Sequence, residues 1–359
     1  MLSFEAARAK IVEIVGARPG ARQTEIIDIS ENPARALGRV LAEDVAADRN
    51  YPPFDRSTRD GYTLRAADAA QAGARLRLIG ESRAGVAFDG AVAAGECVHI
   101  LTGAAVPQGA DAVAMQEYAR ADGDFIVLER AAAPGQNVVP AGAESRSGDV
   151  MVASGARLGY AELALAAQAG RTKLRVYRRP TVAILSTGDE VVGVNDPPGP
   201  FQIRNSNGVS LAAQVTLAGG EPVALGNACD EIGELRARIE QGLASDMLVL
   251  SGGVSVGTYD LVEQVLHDLG TEFFFDSVAI RPGKPAVFGW CRGKAVFGLP
   301  GNPVSTMVCF YLYVRPALRK MSGRRACGLP RMNARCATDI PIADGLTEFV
   351  RVTLERRAG

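Results

Sequence analysis

Histidine is almost missing from this chain. His99 and His267 are the only two in 359 residues, and both stand among apolar sequence neighbours, so acid–base chemistry is expected to fall to carboxylates, Lys or Arg. Six cysteines (Cys97, Cys229, Cys291, Cys309, Cys327 and Cys336) are scattered without a CxxC pair, which argues against a disulfide framework or a structural zinc. Charge of one sign is not in excess either: 39 Lys and Arg face 40 Asp and Glu, a net charge of -1. Nothing in that balance draws the chain to nucleic acid or to an anionic membrane. Long hydrophobic runs are also lacking. The longest apolar stretch, Met307 to Val314, is far too short for a bilayer, and the opening MLSFEAARAK has no h-region. A cytoplasmic protein is expected.

What is present is the profile of a loop-rich globular enzyme: 47% hydrophobic residues, 22% charged, 40 Gly and 19 Pro. The length exceeds what one core usually organises, so several domains are expected. Phe4, Ala7, Ile11, Ile14 and Val15 recur at a period near 3.6 and predict a helix, and a second helical segment is expected over 31–43. Short runs punctuated by Gly, Pro and Asp then mark a β-rich insert over 49–142. After a helix near 161–169, buried strands (TVAIL, PVALG, MLVL, AVFG) alternate with helical patterns at about 207–218, 231–243, 258–269 and 303–320. That alternation predicts a doubly wound, mostly parallel α/β sheet domain over 179–322. Beyond it, a Gly, Arg and Pro linker leads to a β-like segment over 323–359, expected to be an incomplete domain because EFVRVTLERR breaks off in an apparent strand.

Open parallel sheets bind ligands outside the carboxyl ends of their strands. Three loops there are rich in Gly and polar residues: Ser186 to Glu190, Ser251 to Asp260, and Leu299 to Ser305. Each could cradle an anion with backbone N–H groups and a helix N-terminus. Each is equally explained as a tight strand-to-helix turn with a capping residue. Neither of the first two is GxGxxG or GxxxxGK[ST], which removes support for a Rossmann dinucleotide site or a P-loop. Asp189, Glu190, Asp230 and Asp260 fall at or just after strand ends, where carboxylates beside phosphates hold divalent cations. Arg281 and Lys284 lie three apart in a Pro/Gly-stiffened turn suited to an oxyanion.

Taken in order, FDRSTRDGY, LTGAAVPQGADAVAMQE, AGAESRSGD, LSTGDE, SGGVSVGTYD, AIRPGKP and GLPGNPVS closely resemble the molybdopterin molybdenumtransferase family, the MoeA proteins and the gephyrin E domain. The resemblance implies that adenylated molybdopterin and molybdate are converted to molybdenum cofactor and AMP with Mg2+. By motif position it implies catalytic roles for Asp60, Thr102, Glu190, Asp260 and Lys284, and metal ligation by Asp230, Glu190 and Asp260. Thr187, Gly188, Ser251, Gly252, Gly253, Ser255, Arg281, Pro282, Ser305 and Arg351 would bind substrate. It further implies a homodimer held by a helical domain over 1–48 and 143–178, with molybdopterin adenylyltransferase and molybdoenzyme-maturation proteins as candidate partners. Two positions depart from the pattern: Arg281 stands where many relatives have Lys, and Ser277 where Lys is frequent. The incomplete end raises an alternative, a molybdopterin-binding protein or scaffold without metal insertion.

Overall fold

The computed structural model describes residues 1–18, 22–253, 261–341 and 345–355. The chain divides into two compact units, Met1–Glu43 with Ser154–Leu163 and Thr172–Gly359, and Asp44–Ala153 with Ala164–Arg171.

The first unit is built on a six-stranded sheet ordered Glu221–Ala228, Thr181–Thr187, Met247–Ser251, Lys294–Leu299, Val287–Cys291, Glu272–Phe275. The first four strands run parallel and the last two join antiparallel. Both faces are covered, and the strands show it residue by residue. Val182 and Ile184 point into one core with Leu211 and Val215, while Ala183 and Leu185 point into the other with Leu235 and Ile239. Each such side chain, removed from water, contributes roughly 1.5–3 kcal/mol. Helices Phe4–Ala17 and Ser206–Ala218 close the first face; Ile232–Gly242 and Leu261–Asp268 close the second.

The chain leaves Thr181–Thr187 for Glu221–Ala228 on one side and returns to Met247–Ser251 on the other. The strand order therefore reverses beside Thr187, and that switch leaves a crevice at the strand ends. The doubly wound, mostly parallel sheet expected from the sequence is present, with one antiparallel strand, Val287–Cys291, inside it.

The helix expected over 31–43 does not form. Only the short 3-10 turn Pro33–Arg35 is helical, Gly38 sits at φ 75°, and Val40 and Leu41 bridge to Arg157 and Val176. Pro33 and Gly38 both work against a continuous helix here. Thr24–Asp28 pairs antiparallel with Lys173–Tyr177, so the stretches 1–48 and 143–178, expected to be helical, hold helices and also a two-stranded ribbon. The single helix expected over 303–320 is interrupted by a π turn at Phe310–Val314. Pro316 follows it and has no N–H to return to the Leu312 carbonyl. His267, expected in apolar surroundings, has its side chain 82% exposed. In the region 323–359, one two-residue strand, Thr347–Glu348, is found among the described residues, paired parallel with Ile280–Arg281.

The second unit carries its own six-stranded sheet, ordered Ala112–Met115, Gly61–Leu64, Glu96–Ile100, Arg75–Ser82, Phe125–Leu128, Ala119–Asp122. All junctions are antiparallel except Arg75–Ser82 with Glu96–Ile100. Leu64, Leu76, Ile126 and Leu128 form its main core. Among the described residues no helix is long and apolar enough to cross a membrane.

Candidate active site

At the switch of the α/β sheet lies a cavity of about 480 Å³. Three strand-to-helix loops form it, and glycine lets them approach. Gly252, at φ 94°, lies so close to Thr187 that a Cβ there would sit 2.7 Å from the Thr187 carbonyl oxygen. A Cβ on Gly253 would stand 2.7 Å from Thr187 Oγ1. The Thr187 hydroxyl is buried, with no hydrogen-bond partner among the described residues, an orphan polar atom on a residue that lines the cavity.

Asparagines tie the loops together. Asn207 Nδ2 donates to Ser251 Oγ and to the Gly301 carbonyl, each at 2.8 Å, bridging two loops. Asn205 Oδ1 accepts from Ser186 Oγ at 2.9 Å while capping its helix through the Gly208 N–H. Asn302 caps the helix Pro303–Cys309 by accepting from the Val304 and Ser305 N–H groups. Asn205, Asn207 and Asn302 were not singled out from the sequence. Asparagine before a helical pattern signals a cap, and here that ordinary role coincides with the wall of a cavity.

Carboxylates stand on one side. Glu190 and Asp230 both line the cavity, and Asp189 Oδ1 accepts from the Asp230 N–H at 3.0 Å. Burial, with the charges of Asp189 and Glu190, holds the Asp230 carboxyl above the ordinary carboxylate range. Among the described residues no group of three or more His, Cys, Asp or Glu is assembled for a metal. The two lining carboxylates are hard oxygen donors, which suits a cation that completes its shell with water and substrate phosphate.

Of the residues expected at the site, Thr187, Gly188, Glu190, Asp230, Ser251, Gly252 and Gly253 line this one cavity. Arg281, Pro282 and Arg351 line a different depression of about 760 Å³, where Arg281 lies 3.6 Å from Glu348. Lys284 is exposed and Ser305 half-buried, and neither lines the cavity. Ser255 and Asp260 lie outside the described residues.

Asp60 and Thr102 belong to the second unit, where they meet. Asp60 Oδ1 accepts from the Thr102 N–H at 2.6 Å and from its hydroxyl at 2.7 Å. Those two hydrogen bonds hold the Asp60 carboxyl below the ordinary range, so it stays ionised well into acid.

Two family models cover most of the chain. Residues 2–170 match the family model described as the MoeA N-terminal region (domain I and II), and residues 183–320 match the probable molybdopterin binding domain. The molybdopterin molybdenumtransferase of Bacillus subtilis is 34% identical over 333 residues, covering 90% of this chain and 77% of that protein. The chain belongs to the molybdopterin molybdenumtransferase family. The Haemophilus influenzae member of the family is 36% identical over 354 residues, covering 98% of this chain and 85% of its own. Two crystal structures of the molybdopterin biosynthesis MoeA protein of Pyrococcus horikoshii superpose with TM-scores of 0.78 and 0.75 at 36% and 30% identity. Each covers 91% of this chain and 81% of the solved chain. The α/β architecture is thus that of the MoeA structures, and membership places the chain among enzymes of molybdenum cofactor biosynthesis.

Proposed function

We propose that this chain is a molybdopterin molybdenumtransferase, which takes adenylated molybdopterin and molybdate and yields molybdenum cofactor and AMP. The observation that carries the reading is the cavity at the sheet's switch, with glycine loops on two sides and two carboxylates on a third, in a chain of this family. The Gly252 N–H is spent on the Leu299 carbonyl at 3.1 Å, which fixes the loop, while the backbone N–H groups at Gly253 and Gly301 can approach phosphate oxygens closely and the Thr187 and Ser251 hydroxyls add directed hydrogen bonds. Glu190 and Asp230 would hold Mg2+, which when bound polarises the phosphoanhydride of the substrate. Holding the adenylate and the pterin phosphate at fixed points lowers the entropic cost of bringing molybdate to the dithiolene. Arg281 and Lys284, which do not line this cavity, would supply cationic groups suited to the oxyanion. AMP released from adenylated molybdopterin with magnesium, in the presence and absence of molybdate, tests the proposal: molybdate-dependent release supports it, and tight binding without release supports the alternative of a pterin-holding protein.

Charge repulsion gives a readout apart from turnover. Asp230 is disfavoured as an anion by its own neighbours, so Asp230→Asn in chelator at neutral pH should show a denaturant midpoint no lower than wild type. Magnesium should then raise the wild-type midpoint and raise that of the variant clearly less. Equal responses to magnesium would remove Asp230 from the metal site.

A homodimer in the cytoplasm, receiving substrate from molybdopterin adenylyltransferase and passing product to maturation proteins, completes the proposal. Light scattering at micromolar concentration is expected to give twice the 37.7 kDa of one chain. A monomeric mass would contradict the dimer.

A further inference from the structure

A second cavity, of about 130 Å³, lies within the first unit, away from every residue of the site described above. Its lining includes Arg39, Arg157, Arg178, Arg179 and Arg324. Two of these are neutralised: Arg39 pairs with Glu25, and Arg178 with Asp246 at 2.7 Å. Arg157, Arg179 and Arg324 have no ion-pair partner among the described residues. The crowding extends to Arg315 and Arg319, whose buried Nη1 and Nε atoms have no hydrogen-bond partner among the described residues. Burial, and then the charges of Arg157 and Arg315, hold the Arg324 guanidinium below its ordinary range, and no carboxylate acts on it.

Such an arrangement disfavours the folded chain unless something offsets it, because the half-buried Arg324 guanidinium is gathered with the like charges of the exposed Arg157 and Arg179. The helix Ser206–Ala218 ends on one wall, through Thr216 to Gly219. Its terminal carbonyls offer about half a negative charge, too little for three unpaired guanidinium groups. The volume limits what else can enter. About 130 Å³ admits one tetrahedral oxyanion, whereas drug-sized and nucleotide-sized ligands occupy roughly 300 Å³ or more.

We infer that this arginine-lined cavity is a binding site for a single tetrahedral dianion, phosphate or molybdate, gripped chiefly by the forked donors of Arg157 and Arg324. Guanidinium groups match the edge of such an anion with two parallel N–H bonds, and Lys would not reproduce that geometry. The four segments that supply the arginines are distant in sequence, so no motif announces the site.

Calorimetric titration of the full chain with inorganic phosphate, and separately with molybdate, at constant ionic strength tests this. Beside any uptake at the proposed active site, which the variant leaves unchanged, the wild type is expected to show a further saturable site that is weakened at least tenfold in Arg157→Gln/Arg324→Gln. The charge-matched control Arg77→Gln/Arg292→Gln, on exposed arginines, keeps it. Preference for one anion names the source; equal affinity supports recognition by charge and shape. In anion-free buffer the Arg157/Arg324 double variant should unfold at a denaturant midpoint no lower than wild type, since repulsion is relieved. Wild type and double variant binding both anions alike, or no saturable site in the wild type, would overturn the inference.

Discussion

Gly252→Ala should lower affinity for adenylated molybdopterin by at least tenfold, about 1.4 kcal/mol, while the chain stays folded. The residue sits at φ 94°, where an L side chain is strained by roughly 1–2 kcal/mol, and its new Cβ would press to 2.7 Å against the Thr187 carbonyl. Relief requires Gly252 to move away from Thr187, and that movement strains its N–H bond to the Leu299 carbonyl and takes the Gly253 N–H off the cavity wall. Because Gly252 follows the strand Met247–Ser251 rather than lying within it, the core strands Thr181–Thr187 and Met247–Ser251 keep their packing. Equilibrium binding beside a denaturation curve separates the two effects. Unchanged affinity would mean that the glycine serves only the turn.

Gly61→Ala acts on the other unit and on stability. Gly61 lies between Met115 and Ile100 in the middle of the second sheet, and a Cβ there would fall 1.9 Å from the Ala114 carbonyl oxygen. A backbone carbonyl cannot swing aside as a side chain can, so the pairing of Gly61–Leu64 with Ala112–Met115 must open. The cost is expected to be on the order of 3 kcal/mol. The neighbouring Asp60–Thr102 pair should loosen with it, since Asp60 is held by the same strand end. Denaturant midpoints and the amide protection of Thr102 report both; a midpoint equal to wild type would show that the strand accommodates the methyl group.

How much of this could be read from residues alone depended on range. The four parallel strands were legible because each is a short apolar run between turn signals, buried on both faces. The ribbon of Thr24–Asp28 with Lys173–Tyr177 was not, because TEIID is brief and polar at its ends and its partner is far along the chain. Glu272–Phe275 and Val287–Cys291 escaped for a related reason: aromatic clusters broken by Gly289 resemble no clean alternation. In the helix expected over 31–43, apolar spacing outweighed Pro33 and Gly38, and the two breakers won.

The site divides in the same way. Glycines and carboxylates at strand ends carry a local signal, so Glu190, Asp230 and the loops that hold Thr187, Ser251 and Gly252 were legible in the residues, while the binding roles of those three came from the family resemblance. Asn207 carries none, because its two partners, Ser251 and Gly301, come together only in the fold. The pairing of Asp60 with Thr102 came from the family resemblance, since nothing local in either segment points to the other. Arg281 and Arg351 were expected with the substrate residues, and they share their own depression instead.

The central claim is that the substrate's phosphates sit in the cavity between the Thr187, Ser251 and Gly301 loops. A crystal structure of the chain with adenylated molybdopterin or AMP tests it most directly. Phosphate density within hydrogen-bonding distance of the Gly253 and Gly301 amides, with the Thr187 hydroxyl engaged, is the predicted result. Ligand density elsewhere, with this cavity holding only water, would contradict the account.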